Sequence, residues 1–186
     1  ERVFHRLEIE SGLHRALERR ELQLYYQPIV DLVSGEVTGF EALMRWQMAD
    51  GRIVSPAEFI PVAEDTGLIV AIGNWALLEA LTQLRTWIDE GVCARGATMS
   101  VNVSPRQLRD PSLISAVSEA LKRSGVPPRN VWLEVTESVM ISEPDQALAA
   151  LQATVNMTVC TPLGLVVFVD GIRIPHRTGA GGWPQG

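Results

Sequence analysis

The sequence predicts an α/β fold built on a largely parallel sheet covered by helices. Three observations carry this prediction. Strand-like and helix-like stretches alternate after an opening hairpin, and the strands are apolar on both faces. The 186-residue chain, 46% hydrophobic and 20% charged, also has the composition of a globular domain with a core. A repeating β/α barrel and a doubly wound sheet both fit this pattern.

Residues 1–20, ERVFHRLEIESGLHRALERR, set Val3, Leu7, Ile9, Leu13 and Leu17 at roughly helical spacing among charges. They read as an amphipathic lead-in helix, broken near Gly12, with His5 and His14 on its solvated face. LQLYYQPIVDL (22–32) and EVTGFEALMRW (36–46) flank the turn signal Ser34-Gly35 and read as strand, turn, strand. SPAEFIPVAEDTG and NWALLEALTQLRTWIDEG follow as two helices, started by Ser55-Pro56 and stopped by Gly67 and Gly91.

ATMSVNVS (97–104) is a third strand, and DPSLISAVSEALKRSG (110–125) a helix capped by Asp110 with Pro111 at its first position. NVWLEVTES (130–138) is a fourth strand, EPDQALAALQATV (143–155) a helix, and LGLVVFVDG (163–171) a fifth strand. From 171 onward the chain is rich in Gly and Pro without periodicity, which predicts an irregular or disordered tail over 171–186. The expected organisation is thus a lead-in over 1–20, a domain over 21–170 and that tail.

Formal charge is −6, so no basic field of the kind that gathers nucleic acid is expected. No apolar run reaches the roughly 18–20 residues of a membrane span, and no basic-then-apolar leader opens the chain, which predicts a cytoplasmic setting. Cys93 and Cys160 stand 67 positions apart with no Cys-x-x-Cys and no neighbouring histidines, a pattern that favours neither structural zinc nor a disulfide scaffold.

The informative residues are polar ones inside apolar strands. A carboxylate costs several kcal/mol to desolvate unless a donor or a cation meets it, so Glu41 within GFEALMRW calls for a partner. Arg45 is the obvious one, yet residues four apart on a strand lie roughly 13 Å from each other. Alternation puts Glu41 on one face with Leu43 and Arg45, Asn102 with Ser100, and Glu134 with Trp132. With Asp170 at the end of the fifth strand, four successive strands each bring one oxygen donor toward the carboxyl end. In a parallel β/α architecture those ends share one rim. A set of oxygen donors suits a hard cation such as Mg²⁺, Mn²⁺ or Ca²⁺.

YYQPIVDLVSGEVTGFEALMRW, SPAEFIPVAEDTGLI, SVNVSPRQL and WLEVTES, in this order, resemble the EAL domain of cyclic di-GMP phosphodiesterases over about residues 20–152. The resemblance implies a (β/α)8 TIM-like barrel with an antiparallel first strand, incomplete here with about five strands present. It also implies hydrolysis of cyclic di-GMP to linear pGpG with two Mg²⁺ or Mn²⁺ ions. By position, Glu41, Asn102, Glu134 and Asp170 would be metal ligands, Arg45 would face a phosphate, and Gln27 and Leu43 would line the nucleotide pocket. Glu137 would support the ligand strand, and the lead-in helix resembles a joint to an upstream GGDEF or sensory domain.

The sequence departs from the family after Asp170, where Gly171 replaces a second aspartate and no FGTGYSSL follows. The family also uses a lysine on the next strand, a later glutamate and a late glutamine. Lys122, the chain's one lysine, falls instead on the SEALKRSG helix, so no lysine base is identified. A truncated or divergent member is therefore expected. Two readings follow: a phosphodiesterase impaired by the missing part, or an inactive module that binds cyclic di-GMP or a protein partner. An unpaired sheet edge further predicts marginal stability, or an association such as a homodimer that covers it.

Overall fold

The structure, a computed structural model, describes residues 2–135, 166–169 and 172–174, with side chains from 6 to 134. The helix expected over 143–155 and Cys160 lie outside these residues, and so does Glu137.

Helix α1 (Arg2–Ala16) leads into the hairpin of β1 (Leu22–Val30) and β2 (Val37–Gln47), followed by the short β3 (Ile53–Val54). Two helices, α2 (Pro56–Thr66) and α3 (Leu68–Asp89), precede β4 (Thr98–Asn102). Then come α4 (Pro105–Arg109), α5 (Leu113–Ser124), a 3₁₀ turn at Pro128–Asn130, β5 (Val131–Val135), β6 (Val166–Val169) and β7 (Ile172–Ile174). The sheet order is β1-β2-β4-β5-β6-β7, with β3 on β2. β1 runs antiparallel to β2, whereas β2, β4, β5 and β6 are mutually parallel. This is the incomplete β/α barrel with an antiparallel first strand that the resemblance implies.

The sheet's outer face is the core. Ala42, Met99, Val101, Val131 and Leu133 pack against Leu77, Ala80, Leu81 and Leu84 of α3 and Val117 and Ala120 of α5. A second cluster joins Ile9, Leu13 and Ala16 of α1 to Trp46, Phe59, Val62 and Ile72. Trp46 is fully buried, meets the Phe59 ring edge-on at 5.8 Å, and donates its indole N–H to Glu21 Oε2 at 3.2 Å. The lead-in helix is thereby built into the folded unit.

Several local expectations are corrected. α1 runs unbroken through Gly12, because the glycine gives Trp46 room: a Cβ there would stand 2.8 Å from its Cζ2. α3 begins at Leu68, directly after Gly67, whose left-handed φ of 85° turns the chain between the two helices. Asp110 ends α4 rather than capping the next helix; the N-cap of α5 is Ser112, whose N–H donates to Asp110 Oδ1 at 2.8 Å. Ile172–Ile174 form β7, antiparallel to β6, where irregular chain was expected; Ile-Arg-Ile has the β-branched, alternating pattern of a short strand that the Gly- and Pro-rich surroundings obscured. Among the described residues no single helix is long and apolar enough to cross a membrane.

Candidate active site

Glu41 lies midway along β2, on the face opposite the buried Ala42. The register carries its face across the sheet: Gln27 lies opposite Glu41 on β1, and Ser100 opposite it on β4. Asn102, two residues beyond Ser100, lies opposite Glu134 on β5. Since directly paired residues on neighbouring strands point to the same side, Gln27, Glu41, Ser100, Asn102 and Glu134 share the inner face.

The side chains meet where this register brings them. Asn102 Nδ2 donates to Glu41 Oε1 at 2.9 Å, across 61 positions of sequence. That bond answers why a carboxylate is tolerated in an apolar strand: it is half-buried, on the inner face, and held by an amide. It also turns the Asn102 carbonyl oxygen away from Glu41 and leaves it as an acceptor for a cation. No ion pair joins Glu41 to Arg45 among the described residues. Arg45 Nη1 instead donates to the Met44 carbonyl at 2.8 Å, and its guanidinium lies 5.7 Å from the Tyr25 ring centre.

Arg45 also lines a cavity of about 560 Å³ at the carboxyl ends of β2 and β4, together with Leu43, Asn102 and Glu64. Pro56 and Ile60 of α2 and Ile69 of α3 give it apolar walls. Its floor depends on α4, which starts in a capping box: Ser104 Oγ accepts from Gln107 N–H at 3.2 Å, and Gln107 Oε1 accepts from Ser104 N–H at 3.1 Å. Burial pushes the Glu64 carboxyl above its ordinary range; the charge of Asp65 adds to this and that of Arg109 opposes it.

Glu41, Asn102 and Glu134 are therefore brought to one face, with Gln27 beside them and Leu43 and Arg45 at the adjoining cavity. Asp170 lies outside the described residues. Lys122 is exposed on α5, a helix packed on the sheet's outer face, away from the site. Among the described residues no three histidine, cysteine or carboxylate side chains converge as a metal site. The inner face offers two carboxylates and an amide oxygen, a donor set of the kind that hard cations accept. Ser100 adds a fully buried hydroxyl without a hydrogen-bond partner among the described residues, directly across from Glu41. The residues present thus fit a divalent ion. The sequence places Ser100 on the face of Asn102 without giving it a role, and Glu64 escaped notice; the Ser104-x-x-Gln107 spacing could have revealed α4.

Fold and site together define a β/α-barrel protein with an oxygen-rich polar site on the inner face of its parallel strands. The EAL domain family model matches residues 10–170, and the chain belongs to that family. It is 41% identical over 146 residues to the bifunctional diguanylate cyclase/cyclic di-GMP phosphodiesterase MucR of Pseudomonas aeruginosa, covering 78% of this chain and 21% of MucR. It is 36% identical over 152 residues to the cyclic di-GMP phosphodiesterase PdeR of Escherichia coli, covering 82% of this chain and 22% of PdeR. Among solved structures, the PaMucR phosphodiesterase in complex with c-di-GMP superposes with a TM-score of 0.77 at 38% identity, covering 86% of this chain and 62% of that one. The chain therefore spans about a fifth of the length of these two curated relatives.

Proposed function

We propose that this chain carries the cyclic di-GMP phosphodiesterase site of its family and opens one phosphodiester of cyclic di-GMP to give linear pGpG. The observation that carries the reading is the Asn102–Glu41 hydrogen bond on a face shared with Glu134. In this reading Glu41, the Asn102 carbonyl and Glu134 hold Mg²⁺ or Mn²⁺, and Asp170 of the sequence joins them. A bound divalent ion supplies charge neutralisation at the phosphate and a lowered pKa for a coordinated water.

This chain's own groups do the rest. Arg45, at the rim of the cavity, supplies a fixed cation for a phosphate oxygen. Leu43 gives apolar contact to the base, and Gln27, opposite Glu41, offers an amide to the nucleotide. Overall the chain is acidic, so local cations must provide the attraction for a dianionic ligand.

A second reading, binding without turnover, is favoured by one observation: the chain's one lysine, Lys122, is exposed on α5, remote from the inner face. Incubation of the purified chain with cyclic di-GMP and Mn²⁺, with pGpG followed by chromatography and binding by calorimetry, separates the two. Turnover that disappears in Glu41→Ala supports the phosphodiesterase. Binding without product supports the second reading, and absence of both overturns the two together.

A further inference from the structure

Glu64 is a carboxylate in an awkward place. It is half-buried at the end of α2 and lines the same cavity as Arg45 and Asn102, against the apolar Pro56, Ile60 and Ile69. Among the described residues its carboxylate accepts no hydrogen bond: Arg106 Nη1 donates to the Glu64 main-chain carbonyl at 2.6 Å, not to the side chain. The charge of Arg109 offsets part of the cost of burying this carboxylate, and a ligand that brings donors of its own recovers more of it.

The geometry points to Glu64 as the residue that reads guanine in this cavity, accepting from the ring N1–H and the exocyclic amine of one base of the dinucleotide. The inference rests on the cyclic di-GMP reading and extends it to specificity. Arg45 and Glu64 give the cavity a cationic and an anionic group, matching a ligand with an anionic phosphate and a donor-rich base edge. Guanine presents two adjacent donors on its Watson–Crick edge, which a carboxylate accepts side by side. Adenine places an acceptor at N1 and so sets a lone pair against the charge. Hypoxanthine keeps N1–H and lacks the amine. Apolar walls beside the carboxylate lower the local dielectric, which strengthens charge-assisted bonds and sharpens the penalty for the wrong edge.

The test is calorimetric binding of cyclic di-GMP, its inosine analogue and cyclic di-AMP to the full chain and to Glu64→Gln, in EDTA so that turnover does not intervene. Loss of a charge-assisted hydrogen bond corresponds to roughly a tenfold or greater weakening. The expected result is therefore at least tenfold preference of the wild-type chain for the guanine ligand over the inosine ligand, weaker binding still of cyclic di-AMP, and collapse of that preference in Glu64→Gln. A wild-type chain that binds the guanine and inosine ligands equally overturns the role of Glu64, and so does a folded Glu64→Gln that keeps the preference. Should Glu64→Gln fail to fold, the wild-type ratio alone decides. A wild-type chain that binds none of the three ligands, both in EDTA and with Mn²⁺ restored, overturns the cyclic di-GMP reading itself, and the Glu64 inference falls with it.

Discussion

The amide of Asn102 is hydrogen-bonded to the carboxylate of Glu41 at 2.9 Å, tying the carboxyl end of β4 to the middle of β2. Asn102 also lies opposite Glu134 in the register, so it stands beside both carboxylates of the inner face. Removing it should loosen the site while sparing the core, since Asn102 is exposed at its strand end. Groups that orient metal ligands are worth about 10–100-fold in metal affinity or activity. Asn102→Ala is thus expected to lower Mn²⁺ affinity by that range in a calorimetric titration, with its melting temperature near that of the wild type.

Gly12 inverts a familiar rule. Gly→Ala inside a helix ordinarily gains about 0.5–1 kcal/mol. Here the added methyl would sit 2.8 Å from Trp46 Cζ2, and that indole is fully buried and tethered to Glu21. Gly12→Ala should instead destabilise the chain by about 1–3 kcal/mol, the usual range for overpacking. A urea midpoint that shifts upward would refute this packing of α1.

Ser104 joins stability to the site, because its capping box starts α4 immediately after the strand that bears Asn102. Ser104→Ala removes the cap and is expected to cost about 1 kcal/mol by denaturant unfolding. Ser104→Asp, which keeps an acceptor at the same place, should recover most of the loss.

Tyr26 gives a pH signature. Burial, with a smaller contribution from the charge of Glu79, pushes its phenol up to about 12 from an ordinary value of 10.0. Its folded-state pKa lies above that of the unfolded chain, so the protonated phenol's contribution is complete below about pH 10 and is lost as pH rises through about 12. Ultraviolet titration of the wild type should show a late tyrosine, absent in Tyr26→Phe, whose alkaline stability falls less steeply over the same window. Identical alkaline unfolding of the two proteins would remove Tyr26 from this role.

Much of this molecule was legible in its sequence, for reasons tied to particular residues. The parallel core showed in the alternation of strand-like and helix-like stretches and in apolar runs such as LGLVVFVDG. Glu41, Asn102 and Glu134 stood out because a polar group in such a run needs a reason. What the sequence hid was mostly non-local. Gly12 looks like a helix breaker until Trp46, a residue 34 positions later, is seen against it. Asp110-Pro111 looks like a helix start until α4 is found just before it. Alternation gave the face of Ser100 but not its burial, and Glu64 carried no local signal, since its significance lies in the walls of a cavity. The turn signal Ser34-Gly35 already made the first two strands an antiparallel hairpin, and the resemblance placed that hairpin in a barrel.

The central claim, that Glu41, Asn102 and Glu134 share one divalent ion, is tested most directly by Mn²⁺ titration followed by electron paramagnetic resonance on the wild type, Glu41→Gln and Glu134→Gln. The wild type is predicted to take up Mn²⁺ saturably, and each variant to bind it at least tenfold more weakly while keeping the wild-type melting curve. Uptake unchanged in both variants, or no uptake by the folded wild type, would contradict the claim.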